Sequence, residues 1–251
     1  MKDKQMIKQV RIGNNEDLIY GLLYMPDNMK DNKYPLVILS HGLSLNHTFM
    51  KPYAEKLQKE DIIAFIYDFR GGGYGSKSGG KISDMTIDGE KEDLIKVLDY
   101  VKRLECIDNN RIYLAGHSQG ALVSSLVAVD VEGQIDGLFL FAPAYVIPDD
   151  MNEVVRREKN VLNLMPEHLG SKYMESARKI NLYDDIKDFN KDVYIFHGKK
   201  DERVPVRYAM EADRAYPNSR LIIYPKEEHR FSDDTKNDVV RIIKEKISQT
   251  S

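Results

Sequence analysis

Short apolar runs alternate along this chain with longer stretches of helical period. Leu36–Leu39, Ile62–Tyr67, Ile112–Ala115, Leu138–Phe141, Val193–Phe196 and Leu221–Tyr224 are continuous apolar runs of strand length. Such runs suit strands buried on both faces, as in a parallel sheet. Residues 4–12 and 18–24 predict an opening β-hairpin with Gly13-Asn14-Asn15 in its turn. Helices are expected over 48–60, 84–104, 119–130, 206–216 and 234–248. The second of these carries Ile87, Leu94, Ile95, Leu98 and Val101 at helical spacing, with Ser83 or Thr86 available as a cap. Alternating strands and helices predict the α/β class, a mostly parallel, doubly wound sheet with helices on both faces. Ligands of such sheets bind beyond the carboxyl ends of the strands, so reactive residues should stand just after strands.

One stretch breaks the rhythm. About 50 residues, Ala142–Lys191, separate two strands that a single helix could join. Excess length between core strands is usually functional when it is ordered, and residues 145–185 read as a helical lid. There is no repeat and no low-complexity linker, so residues 1–251 are expected to form one domain carrying that insertion.

Composition narrows the function. Hydrophobic residues make up 42% of the chain, enough for a large core, and the net charge is -3 with both signs dispersed. No basic block points to nucleic acid. No run approaches the roughly 18 apolar residues of a membrane span, and the first residues lack the apolar core of a signal peptide. A cytoplasmic protein is the expectation, with a small molecule as partner and a homodimer left open. The single cysteine, Cys106, excludes an internal disulfide framework and reads as a small core residue at a helix end.

The strongest chemical signal is Gly116-His117-Ser118-Gln119-Gly120. It fits G-x-S-x-G between a strand and a helix, the nucleophile elbow. The turn is tight enough that only glycine fits at its flanks, and its strain holds the serine hydroxyl proud of the sheet. An inert serine in a glycine-rich turn is the plainer alternative. A serine hydroxyl needs a base, and the base needs an orienting carboxylate. Of the later histidines, His229 stands after the last strand, where a base belongs; His168 falls in the expected lid, and His197 ends a strand and reads as a brace of its turn. Asp201 follows the penultimate strand and is the candidate acid, with Glu202, Asp184 and Asp185 as rivals. The oxyanion would be held by backbone N–H groups of Gln119 and of Leu43, in the loop His41-Gly42-Leu43-Ser44. His41 reads as a brace of that loop.

These segments together resemble the α/β-hydrolase family over nearly the whole chain. Within it the likeness is to bacterial esterases of the feruloyl or cinnamoyl type and to serine aminopeptidase-like relatives. His41-Gly42-Leu43, Asp68-Phe69-Arg70-Gly71, Ser83-Asp84-Met85-Thr86, the elbow, His197-Gly198-x-x-Asp201 and His229 carry it. Arg230 departs from the small or aromatic residue such esterases often have there. The resemblance implies a Ser118-His229-Asp201 triad, a lid and no cofactor. It points to hydrolysis of small or aromatic acyl esters through an acyl-enzyme. Amide, peptide or thioester cleavage by the same residues stays open, as does a binding protein on a retired scaffold. Gly71-Gly72-Gly73-Tyr74-Gly75-Ser76-Lys77-Ser78 nearly spells a phosphate-binding loop, but Ser76 stands where glycine is needed and Gly79-Gly80 where a helix should start. It reads as a structural loop near the site's rim. No histidines or cysteines are spaced for zinc.

Overall fold

The computed structural model describes residues 6–27, 29–156 and 169–249, with backbone alone for 154–156. Eight strands form one sheet in the order β1-β2-β4-β3-β5-β6-β7-β8. They are β1 (Met6–Ile12), β2 (Ile19–Met25), β3 (Tyr34–Ser40), β4 (Ile63–Tyr67), β5 (Ile107–His117), β6 (Gly137–Phe141), β7 (Asp192–Gly198) and β8 (Ser219–Tyr224). β1 and β2 form the expected antiparallel hairpin, and β2 pairs antiparallel with β4. From β4 to β8 every pairing is parallel. Every residue of β4 and β6 is buried, as the unbroken apolar runs require.

Among the described residues, eight helices flank the sheet: α1 (Lys51–Gln58), α2 (Ile87–Val101), α3 (Gln119–Asp130), α4 (Ile147–Arg156), α5 (Ser171–Arg178), α6 (Leu182–Ile186), α7 (Val206–Ala215) and α8 (Asp233–Gln249). α1 and α8 pack one face, where Tyr53, Leu57, Val239 and Ile243 meet Val37, Leu39, Phe141 and Phe196. α2, α3 and α5–α7 close the other, where Leu94, Val97 and Leu98 meet Leu36, Ile38 and Leu114. α3 is buried from Gln119 through Ala128, because it lies between the sheet and other helices.

Three expectations change in detail. The helix expected over 48–60 divides into a 3-10 turn, His47–Phe49, and α1. The one expected over 84–104 divides into a 3-10 turn, Ile82–Asp84, and α2, whose cap is Thr86 accepting from Gly89 N–H at 2.9 Å. Cys106 sits in the turn entering β5 rather than at a helix end; it is half-buried against the core. Its carbonyl accepts from Tyr34 N–H, so the backbone here serves the sheet rather than a helix. The stretch between β6 and β7, where a lid is expected over 145–185, carries α4, α5 and α6, α6 packing on α3 and α7; residues 157–168, His168 among them, lie outside the described residues.

Candidate active site

The elbow at the end of β5 is built by close backbone approach. A Cβ at Gly116 would stand 2.3 Å from Gly120 carbonyl atoms, and one at Gly120 would stand 2.4 Å from the Ser40 and His41 carbonyl oxygens. Between them Ser118 has φ 56 and ψ -119, a strained conformation that non-glycine residues rarely adopt. The surroundings fix it: Ser118 N–H donates to Phe141 O at 2.9 Å, and Ser118 O accepts from Ala144 N–H at 3.0 Å.

Two further loops bring their residues to this serine. His229 Nε2 lies 3.0 Å from Ser118 Oγ, and His229 Nδ1 lies 2.7 Å from Asp201 Oδ2. This spacing suits a serine O–H donating to Nε2 while Nδ1–H donates to the carboxylate. Asp201 Oδ1 accepts from the Arg203 and Val204 N–H groups, both at 2.9 Å. Burial alone would raise the Asp201 pKa; the bonds from His229 and Val204, with the nearby imidazoles, hold it below the ordinary carboxylate value. Of its rivals, Glu202 is exposed, and Asp184 lies in α6, paired with Lys187.

The acid loop and the histidine loop are stitched together. Lys199 N–H donates to Tyr224 O and Lys200 N–H to Glu227 O, each at 2.9 Å. Gly198 permits this, since a Cβ there would stand 2.4 Å from the Glu227 and Glu228 carbonyl oxygens. The Glu227 carboxylate accepts from Ser232 N–H, Ser232 Oγ and Thr235 Oγ1, tying the histidine loop to the start of α8. His197 Nε2–H donates to Val204 O at 2.9 Å, which makes it a brace of the acid loop. His41 also braces: its Nε2 accepts from Phe69 N–H at 3.2 Å and its Nδ1 faces Gly42 O at 2.9 Å. Burial lowers the pKa of both histidines and keeps them neutral.

Gln119 directly follows the serine, and Leu43 lines the same cavity as Ser118. Gln119 opens α3, and first-turn N–H groups have no partner in the helix ladder. The loop carrying Leu43 presses on the elbow, since a Cβ at Gly42 would stand 3.1 Å from Ser118 Cβ. Leu43, Ser44 and Leu45 line a cavity of about 320 Å³ together with Ser118, His229, Ala144, Ile147, Val204, Arg203 and Arg230. The glycine-rich loop after β4 lines a second cavity of about 470 Å³, and Ser44 lines both. No helix starts in it.

Two features escape a reading of the sequence. His117, the variable residue of the elbow, donates Nε2–H to His229 O at 2.9 Å and so fixes the histidine backbone. Burial, then the neighbouring His229, depress its pKa to about 3, so it is a neutral strut. The buried Gln119 side chain donates to Glu90 Oε2 at 2.7 Å and accepts from Tyr173 O–H at 2.5 Å, joining α2 and α5 behind the serine. The only local signal for His117 is its place beside the serine; for Glu90 and Tyr173 there is none. Among the described residues, no cluster of three or more His, Cys, Asp or Glu could hold a metal, and no helix is long and apolar enough to cross a membrane.

Comparison with known proteins assigns the family. Residues 31–225 match the model described as serine aminopeptidase, S33. The chain belongs to this family. This S33 member is also similar to Est1E from Butyrivibrio proteoclasticus with ferulic acid bound, at 28% identity and a TM-score of 0.83, covering 95% of this chain and 99% of that one. The mouse α/β hydrolase domain-containing protein 10 shares its fold, with a TM-score of 0.78 at 17% identity over 98% of this chain and all (100%) of that one. The architecture is therefore the α/β-hydrolase fold. An uncharacterized 31.7 kDa protein of the traX-finO intergenic region of Escherichia coli is 27% identical over 187 residues, 71% of this chain. The chain spans 64% of that curated relative's length.

Proposed function

We propose that this protein is a serine ester hydrolase working through an acyl-enzyme on small or aromatic acyl esters. The observation that carries the reading is the Ser118–His229–Asp201 chain of contacts at 3.0 and 2.7 Å, opening on a cavity lined by Leu43, Ala144, Ile147 and Val204. Ser118 Oγ attacks the ester carbonyl while His229 Nε2 takes its proton. Asp201 holds the imidazole in the right tautomer and stabilises the imidazolium. The Leu43 and Gln119 N–H groups receive the developing oxyanion, a contribution of a few kcal/mol in comparable sites. The alcohol leaves with the proton from His229, and water activated by the same imidazole then frees the acid. The reaction needs no cofactor, and Ile147, at the start of α4 in the expected lid, lines the cavity that takes the acyl group. The likeness to a ferulic acid-bound esterase favours an aromatic acyl group.

The test is turnover of a p-nitrophenyl ester series from acetate to long chains, with methyl ferulate alongside. Ser118→Ala should lose roughly a millionfold in turnover, the scale of triad knockouts in other serine hydrolases. Equal rates for variant and wild type would remove Ser118 from the mechanism. The family description favours a second reading, cleavage of aminoacyl amides by the same residues. Aminoacyl p-nitroanilides turned over faster than every ester would put that reading first.

A further inference from the structure

The lining of the cavity over Ser118 is unbalanced in charge. Arg203 and Arg230 both line it, and among the described residues no aspartate or glutamate does. Both are exposed, each one position or two beyond a triad residue: Arg203 after Asp201, Arg230 after His229. Among the described residues neither guanidinium forms an ion pair, although Glu202 and Glu228 stand close by in sequence and are exposed. Arg230 instead meets an aromatic ring. Its guanidinium lies over Phe49 at 5.6 Å, and Phe49 in turn packs on His117 at 4.5 Å.

Two guanidinium groups at one cavity set up a positive field there, and a substrate that brings a negative charge is drawn in by it. Arginine pairs with a carboxylate through two parallel N–H groups, so it can also orient such a substrate.

Resting on the ester-hydrolase reading, we infer that the preferred substrates are esters carrying a free carboxylate, which Arg203 and Arg230 recognise at the mouth of the site. The apolar wall of Leu43, Ala144, Ile147 and Val204 takes the uncharged part of the molecule. The carboxylate can belong to the acyl group or to the alcohol; both present the same chemistry to the arginines.

Two matched substrate pairs separate these sources. On the acyl side, the p-nitrophenyl monoester of adipic acid is compared with p-nitrophenyl hexanoate. On the alcohol side, para-carboxyphenyl hexanoate is compared with para-carbamoylphenyl hexanoate. In at least one pair the anionic ester should have the higher kcat/KM, by about tenfold near 0.02 M salt, and the ratio should shrink toward one near 0.5 M salt. Arg203→Gln, Arg230→Gln and the double variant should lower that ratio in steps. Because it compares two substrates on one enzyme, the ratio is unaffected by a loss of folded protein. Ratios at or below one in both pairs, or a ratio the double variant leaves unchanged, would overturn the inference while the hydrolase reading stands. If no ester in either pair is cleaved, the hydrolase reading fails and takes the inference with it.

Discussion

The Tyr173 hydroxyl, from α5 in the insertion, donates to Gln119 Oε1 at 2.5 Å, directly behind the serine. Both residues are buried. Tyr173→Phe leaves the amide oxygen without this partner and should destabilise the fold by about 1–3 kcal/mol. In the proposed mechanism Gln119 gives its backbone N–H to the oxyanion, so kcat should fall several-fold with KM little changed. Urea unfolding and steady-state kinetics on the same preparation check both effects; a stability loss with unchanged kcat would make the contact purely structural.

Glu90, on the other side of Gln119, makes stability depend on pH. Burial pushes its carboxyl well above the ordinary value of 4.5, with Gln119 opposing and Asp93 adding to the shift. The folded state therefore binds this proton more tightly than the unfolded chain. That stabilisation is complete below the unfolded pKa and is lost as pH rises through the folded one. Glu90→Gln removes the titration, so its stability relative to wild type should improve between pH 5 and pH 8, read from denaturation midpoints at about those two values.

Asp201→Asn keeps the shape but offers Nδ1–H of His229 an amide in place of a carboxylate. Turnover should drop by about 10⁴-fold, as for the same change in another serine hydrolase. Asp201→Ala should in addition lose stability, because the Arg203 and Val204 N–H groups lose their acceptor. A thermal melt beside the ester assay distinguishes the two variants.

The glycines around the serine should differ in tolerance. Gly120→Ala drives a methyl to 2.4 Å from two backbone carbonyl oxygens, so the variant should fail to fold or lose more than about 3 kcal/mol. At Gly42 the nearest atoms are Ser118 Cβ at 3.1 Å and His117 Nδ1 at 3.2 Å, which can give by a few tenths of an ångström. Gly42→Ala should fold and lose about tenfold to a hundredfold in kcat, because the serine is displaced. Circular dichroism with the ester assay settles the order.

Much of this was legible because burial on both faces writes itself as unbroken apolar runs. Val193–Phe196 and Leu138–Phe141 are strands for that reason. The start of β5 was hidden because Asp108, Asn109 and Asn110 are polar residues on an extended chain. The elbow motif and the order of later loops pointed to Ser118, Asp201 and His229, which meet although Ser118 and His229 are 111 residues apart. The support behind them was not legible. Glu90, Gln119 and Tyr173 meet only through the packing of α2, α3 and α5, and no local period encodes a contact between three helices.

The sheet order divides the labour unevenly across the molecule. Ser118 follows the central strand β5, whereas Asp201 and His229 follow β7 and β8, the last of them a margin with a neighbour on one side only. Such margins open before the interior does. Working lifetime under heat or denaturant should therefore follow how firmly α8 and the Glu227 tether clamp that margin, with loss of the site running ahead of the collapse of the sheet.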